Sequence, residues 1–247
     1  MALAYHGVAD VPLRRDPYRL FTPPAALARH IRLLRSWGYE LVAFGELARR
    51  VGQGEASGAV ALTFDDGFAD NLHVLLPLLE REGAPATVFV ISSGFGEPHP
   101  DVPTALRLTA PEVRTLARAG VEVGAHSHTH RDLSILSYHE VLEDARRSRQ
   151  VLEELVDGPV EVMAYPYGRA GPETRRACGD AGYVAACRTT GQGSWSDPLD
   201  LPRQDMTNRC TSLGLRLKRD DRYEALVRTW PGRVARGVFR RAQLLVP

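Results

Sequence analysis

Lysine is all but missing from this chain of 247 residues: Lys218 is the only one, and arginine carries nearly all the basic charge. That is compositional bias rather than chemistry, because the net charge is only +1. A chain so near neutrality offers no global field to a polyanion, which excludes nucleic acid as its main partner. Cysteine is scarce as well. Cys178, Cys187 and Cys210 are odd in number and show no CxxC spacing, so neither a disulfide framework nor a zinc ribbon is expected. No apolar run is long enough to span a bilayer. The opening MALAYHGV has neither the charged start nor the apolar length of an export signal, so a cytoplasmic protein is expected.

What the chain does contain is alternation. Short runs rich in β-formers fall at 3–6, 40–44, 59–64, 86–91, 121–125, 160–165 and 183–188. Helical patterns lie between them. One runs from Pro24 to Trp37 with Leu27, Ile31 and Leu34 on one face, another ends at Gly83, and a third ends at Gly182. Thr109 with Glu112, and Ser137 with Glu140, read as capping boxes opening two more, the first stopped by Gly120. Such alternation predicts parallel strands joined by right-handed crossovers, hence an α/β layer fold or barrel. From about Asp205 the pattern weakens. The basic WPGRVARGVFRRAQLLVP predicts a helix on the outside of the barrel, or peripheral contact with anionic headgroups.

Two stretches carry chemistry. In LTFDDGFADN, Asp65 and Asp66 stand side by side where a strand runs out. Adjacent carboxylates repel, and burying them requires compensation. In VGAHSHTHRDLS, His126, His128 and His130 follow the strand at 121–125. An extended segment would place all three on one face, and a helical turn only His126 and His130. Both stretches come at the C-terminal ends of predicted strands, where loops of parallel α/β folds converge. Two histidines and one aspartate leave a coordination position open, as in catalytic zinc sites. A divalent cation there would offset the repulsion of the two carboxylates. Because successive side chains of an extended chain face opposite ways, one aspartate can ligate while its neighbour takes a proton from a water whose pKa the metal lowers.

Taken together, TFDDG, HSHTH and AYPYG resemble the polysaccharide deacetylase family, the NodB-like carbohydrate esterases, over roughly residues 1–205. The resemblance implies an irregular (β/α) barrel with about seven strands, followed by a basic, helical C-terminal extension at 206–247. It implies Asp65 as catalytic base, and Asp66, His126 and His130 as ligands of zinc, with cobalt or nickel as substitutes. The implied reaction removes an acetyl group from an N-acetylated sugar, polysaccharide or lipid-linked glycan.

Two positions depart from the family pattern. Ala164 stands where the third motif commonly has arginine, although Pro166-Tyr167-Gly168 is retained and the Tyr167 N–H remains available to an oxyanion. The C-terminal Leu-x-His that commonly supplies the general acid has no match. ALAYHGV instead resembles the first strand of circularly permuted exopolysaccharide deacetylases, which makes His6 the expected acid. DPLDLPRQDM would then close the barrel, with Arg203 replacing the motif arginine beside Asp65. Tyr5, Phe95, Tyr165 and Trp195 are candidates to line a sugar site. Asp132 is a candidate to orient a histidine or cap a turn, His128 to lie behind the ligands or face solvent, and Asp70 and Asn71 to open a helix. Two rival readings are a carbohydrate-binding relative without turnover and a non-haem iron oxygenase with the same donor set.

Overall fold

The computed structural model describes residues 1–189, 193–207 and 210–219. Eight strands form one parallel sheet: β1 Ala2–Tyr5, β2 Glu40–Val42, β3 Ala59–Phe64, β4 Thr87–Val90, β5 Glu122–Ala125, β6 Val162–Ala164, β7 Ala185–Cys187 and β8 Gln204–Asp205. The helices are α1 Pro24–Ser36, α2 Phe44–Gln53, α3 Leu76–Glu82, α4 Ala110–Arg118, α5 Tyr138–Val156, α6 Pro172–Asp180 and α7 Ser212–Arg219. A π-helical turn, Asn71–Leu75, leads into α3. The expected α/β alternation is therefore present, and both capping boxes form. Glu112 accepts the Thr109 N–H at 2.8 Å, and Ser137 and Glu140 cap each other reciprocally.

The sheet runs β7-β6-β5-β4-β3-β1-β8 and curls into an irregular barrel. One edge of β3 carries β1; the other is shared by β2 and β4. Residues 201–206 fill the gap between β7 and β1. The Leu201 N–H donates to Ala186 O at 2.9 Å, and the Met206 N–H donates to Ala4 O at 2.8 Å. The sequence-predicted closing stretch thus bridges the two ends of the sheet. The basic segment 230–247 lies outside the described residues.

Strand periodicity sorts the core into two faces. Leu3, Tyr5, Val60, Leu62, Phe64, Val88, Val90, Met163 and Tyr165 pack in one buried cluster with Leu27, Ile31, Leu34, Val113, Leu116 and Val141 of the helices. The intervening residues Ala2, Ala59, Ala61, Phe89, Val162, Ala164, Ala185 and Cys187 form a separate cluster with Phe44 and Leu47 of α2. Apart from Phe89 and Val162, the strand side chains named on this inner face are small. Gly124 belongs to it: a Cβ there would come within 2.5 Å of the Phe89 ring.

The sequence-predicted strand at 40–44 is two residues too long. Phe44 starts α2, with its N–H bonded to Thr87 Oγ1 at 2.8 Å. The helix escapes a periodicity search because Phe44 and Leu47 are its only buried residues.

Candidate active site

The inner face of β3 reads Ala59, Ala61, Thr63 and then Asp65, so strand phase alone aims Asp65 into the barrel mouth. Its N–H still continues the ladder to Tyr5 O at 2.9 Å. Asp66 then breaks from the strand with φ 73°. The divergence of the two carboxylates therefore comes from a left-handed residue, not from extended-chain alternation as the sequence led us to expect. Asp66, Ser127, His130 and Tyr167 are four of the six non-glycine residues with positive φ among the described residues. Such conformations are disfavoured for L side chains and persist where surrounding bonds over-determine them. Here those bonds are visible. Ser127 Oγ accepts the His130 N–H at 2.8 Å, and the buried Asp144 of α5 accepts the N–H groups of His128 and Thr129 at 2.8 and 3.2 Å.

Asp65 and Arg203 make a bidentate ion pair. Nη1 donates to Oδ1 at 2.6 Å and Nη2 to Oδ2 at 2.7 Å, and Arg203 is 0% exposed. Nη1 also reaches Thr63 Oγ1 at 2.8 Å, and Nε reaches Arg188 O at 3.0 Å. Burial pushes the Asp65 carboxyl up, and Arg203 with His126 outweighs it, leaving the group below its usual range. The guanidinium lies 5.2 Å from the Phe89 ring centroid, and Phe89 packs in the same inner cluster as Ala164. A cation thus reaches Asp65 from the closing segment, while the alanine in AYPYG contributes only a small apolar group to that cluster. The Ala164 backbone has a separate use: its carbonyl lies 2.8 Å from His126 Nδ1.

Asp66, His126 and His130 converge as the motif spacing led us to expect. His126 Nε2 is 3.3 Å and His130 Nε2 3.4 Å from Asp66 Oδ1, and the three could hold one metal ion. The donor chemistry fits a cation. Since Ala164 O can only accept, His126 carries a proton on Nδ1, and the neutral ring then aims an Nε2 lone pair at a carboxylate oxygen. Two facing lone pairs need positive charge between them. Burial works against an imidazolium at His126, yet Asp66 and Asp65 raise its pKa; burial lowers that of His130. Asp66 is also buried, and its imidazole contacts hold it well below the usual carboxylate range.

Sequence reasoning missed two residues of the β4–α4 connection, His99 and Asp101. His99 Nε2 is 3.5 Å from Asp66 Oδ1, and Asp101 Oδ2 is 3.5 Å from His130 Nδ1. Nothing in the spacing of GEPHPDVP announces them, because the loop reaches the site only by pairing Phe68 with Arg107 and Pro98 with Leu106. His6, Asp65, Asp66, His126, His130 and Tyr167 share a cleft of about 460 Å³, as do His99, Asp101, Tyr18 and Leu20. Asn71 donates to His6 O at 3.2 Å, and Asp70 accepts the Val8 N–H at 2.9 Å, so this pair clamps the outlet of β1.

Several candidates lie elsewhere. Tyr5 and Tyr165 are in the wrong strand phase for the cleft and are completely buried under the helices. Tyr5 bonds His30 at 3.1 Å, and Tyr165 donates to Leu199 O at 2.8 Å. Phe95 packs against the outer core, and Trp195 is exposed away from the cleft. Asp132 caps Ser134 and pairs with Arg169 rather than with a histidine. His128 Nδ1 meets Ser92 Oγ at 2.9 Å.

A family model described as "Polysaccharide deacetylase" matches residues 53–186. That span contains Asp65, Asp66, His126, His130 and Tyr167, while His6 and Arg203 lie beyond it. YxkH of Bacillus subtilis strain 168, named for polysaccharide deacetylases, is 26% identical over 76% of this chain and 63% of its own length. A chitin deacetylase of Arthroderma benhamiae is 29% identical over 44% of this chain and 27% of its own. The chain thus spans less than two thirds of these relatives. Among solved structures, the deacetylase PplD of Streptococcus pyogenes, in complex with acetate, superposes with a TM-score of 0.76 at 23% identity, covering 87% of this chain and 95% of that one. IcaB of Ammonifex degensii gives 0.71 at 21%, covering 85% and 92%. At these identities the superpositions speak for the fold.

Proposed function

The chain belongs to the polysaccharide deacetylase family, and from that premise we propose that it is a metal-dependent hydrolase removing N-acetyl groups from a hexosamine oligomer or polymer. The reading rests on one juxtaposition: a carboxylate locked to an arginine, Asp65, beside a carboxylate faced by imidazoles, Asp66, in a single cleft. Asp66, His126 and His130 would hold the ion, and their N,N,O donor set suits zinc, cobalt or nickel. Such an ion supplies Lewis-acid polarisation of the acetamide carbonyl and of the attacking water.

The remaining work falls to side chains and backbone. Asp65 takes the proton of the attacking water; Arg203 keeps it ionised and fixes its orientation. The Tyr167 N–H stabilises negative charge on the former carbonyl oxygen. His6, across the cleft, gives a proton to the departing amine, so that acetate and a free amino sugar leave. Chitin- and peptidoglycan-type N-acetylglucosamine chains are the proposed substrate class, since the relatives this chain matches include a chitin deacetylase and a probable peptidoglycan-N-acetylglucosamine deacetylase, both of Arthroderma benhamiae.

The test is acetate release from N-acetylglucosamine oligomers by protein stripped of metal and then given zinc or cobalt. Metal-restored acetate release is the expected result. Asp65→Asn should abolish turnover yet still bind metal, and His126→Ala should lose both. A fully active Asp65→Asn protein would overturn the assignment of the base.

A further inference from the structure

Three imidazoles, not two, face Asp66 Oδ1: His126 at 3.3 Å, His130 at 3.4 Å and His99 at 3.5 Å. By distance alone His99 could count as another ligand. Its other nitrogen decides otherwise. The Asp101 backbone N–H donates to His99 Nδ1 at 3.1 Å. A backbone amide can only donate, so Nδ1 is the bare nitrogen, and the neutral ring carries its proton on Nε2, toward Asp66. His126 carries its proton on Nδ1, donated to Ala164 O, so in the neutral ring Nε2 is the bare nitrogen, the opposite of His99. His130 has a carboxylate oxygen of Asp101 3.5 Å from its Nδ1, which likewise favours the proton on Nδ1 and leaves Nε2 bare. Asp101 therefore fixes the tautomer of His99 through its backbone N–H, while its carboxylate faces His130 Nδ1 without a hydrogen bond.

His99 Nε2 is buried and makes no hydrogen bond of normal geometry as the ring stands, with Asp66 Oδ1 3.5 Å from it. We propose that His99 is a positioning residue: it presents Nε2–H to the ligand carboxylate of Asp66 and does not bind the metal itself. The proposal rests on the reading of Asp66, His126 and His130 as the metal ligands. One lone pair of Asp66 Oδ1 then serves the cation and another accepts from His99, which fixes the direction of a carboxylate carried on a left-handed residue. The connection that brings His99 is built to hold its ring still. Its N–H donates to Ala105 O at 2.8 Å, its ring lies 5.1 Å from that of Phe68, and it is 2% exposed. Two further bonds tie the same connection to the DDG turn: the Leu108 N–H to Gly67 O at 2.8 Å and the Ala69 N–H to Leu106 O at 2.9 Å.

The test has two parts. In the metal-free protein, ¹⁵N-histidine NMR, with His99 assigned by its disappearance in His99→Gln, should report protonated Nε2 and bare Nδ1; the reverse pattern would overturn the proposal. Cobalt is then titrated into the wild type, His99→Gln and His99→Ala. Loss of the donor in His99→Ala should weaken cobalt binding roughly 10–100-fold, and His99→Gln, which retains an N–H donor at similar reach, should recover much of that loss. The visible d–d bands of all three should coincide, because no ligand has been removed. Bands that shift or lose intensity in both variants would make His99 a ligand, and unchanged affinity in His99→Ala would leave it no positioning role. His126→Ala separates the two levels of the argument: if it bound cobalt with wild-type bands, the ligand assignment itself would fail, irrespective of His99.

Discussion

Replacing Arg203 with methionine probes a buried charge that makes four hydrogen bonds. The side chain is completely buried and makes two charge-assisted bonds to Asp65, at 2.6 and 2.7 Å, and two more to Thr63 and Arg188. Methionine approximates the stem and removes all four. The Asp65 carboxylate then stays buried without its cation, a situation that costs about 3–5 kcal/mol, against a total stability of about 5–15 kcal/mol for an ordinary domain. The sign with pH follows. In the wild type the depressed Asp65 pKa contributes stability above the unfolded carboxylate value that is lost as pH falls. In Arg203→Met burial is opposed only by His126 and His6, so that pKa rises relative to the wild type, and the deficit should be largest near pH 7 and shrink toward pH 4. The assay is urea unfolding of the wild type, Arg203→Met, Asp65→Asn and the double variant. Asp65→Asn leaves Arg203 buried without its anion, at a similar cost of about 3–5 kcal/mol. With both charges gone, the double variant should return to within about 2 kcal/mol of the wild type, so the two single costs less the double give a coupling energy of at least about 4 kcal/mol. A single variant within about 1 kcal/mol of the wild type, or a double variant no more stable than Arg203→Met, would refute the reasoning.

Three other outcomes are expected. Burial pushes Asp70 up to about 6 against the pull of the Val8 N–H and Asn71. A raised carboxyl contributes stability that is present below the unfolded value and lost as pH rises through 6. Asp70→Asn, which keeps an acceptor for Val8, should therefore abolish that slope and be more stable than the wild type at pH 7 by about 1–2 kcal/mol, allowing for partial exposure; equal melting curves at pH 5 and pH 7 in the wild type would contradict this. Tyr5→Phe removes the bond to His30 and should cost about 1 kcal/mol in urea with acetate release unchanged; a fall in kcat would return Tyr5 to the cleft. Asp144→Ala leaves the N–H groups of His128 and Thr129 without their acceptor, and should cost about 2–3 kcal/mol while weakening cobalt binding through the loosened His130 turn; retention of wild-type cobalt affinity would show that the turn holds without it.

Much of this protein is written locally. Strand and helix alternation, both capping boxes and the glycine after α3 depend on residues a few positions apart, and the structure reproduces them with end errors of one or two residues. The convergence of Asp66, His126 and His130 could also be anticipated, since parallel strands deliver their C-terminal ends to one mouth. Tyr5 and Tyr165 show where local reading stopped short: as aromatic residues they suited a sugar site, and only their strand phase, opposite to that of Asp65 and His126, sends them under the helices.

The sequence by itself determined most of the elements, their alternation along the chain, and the residue types gathered at the strand ends, because these follow from backbone propensity and a period of two. Tertiary structure alone decided how each charge and proton is placed. Arg203, which the family resemblance had suggested beside Asp65, meets it across 138 positions of sequence in a bidentate geometry no local pattern encodes, and His99 and Asp101 arrive on a connection whose pairing with the DDG turn has no periodic signature. Which nitrogen of each histidine is bare depends on whether a carbonyl or an amide faces it, and that contact exists only once the sheet has curled and its loops have met.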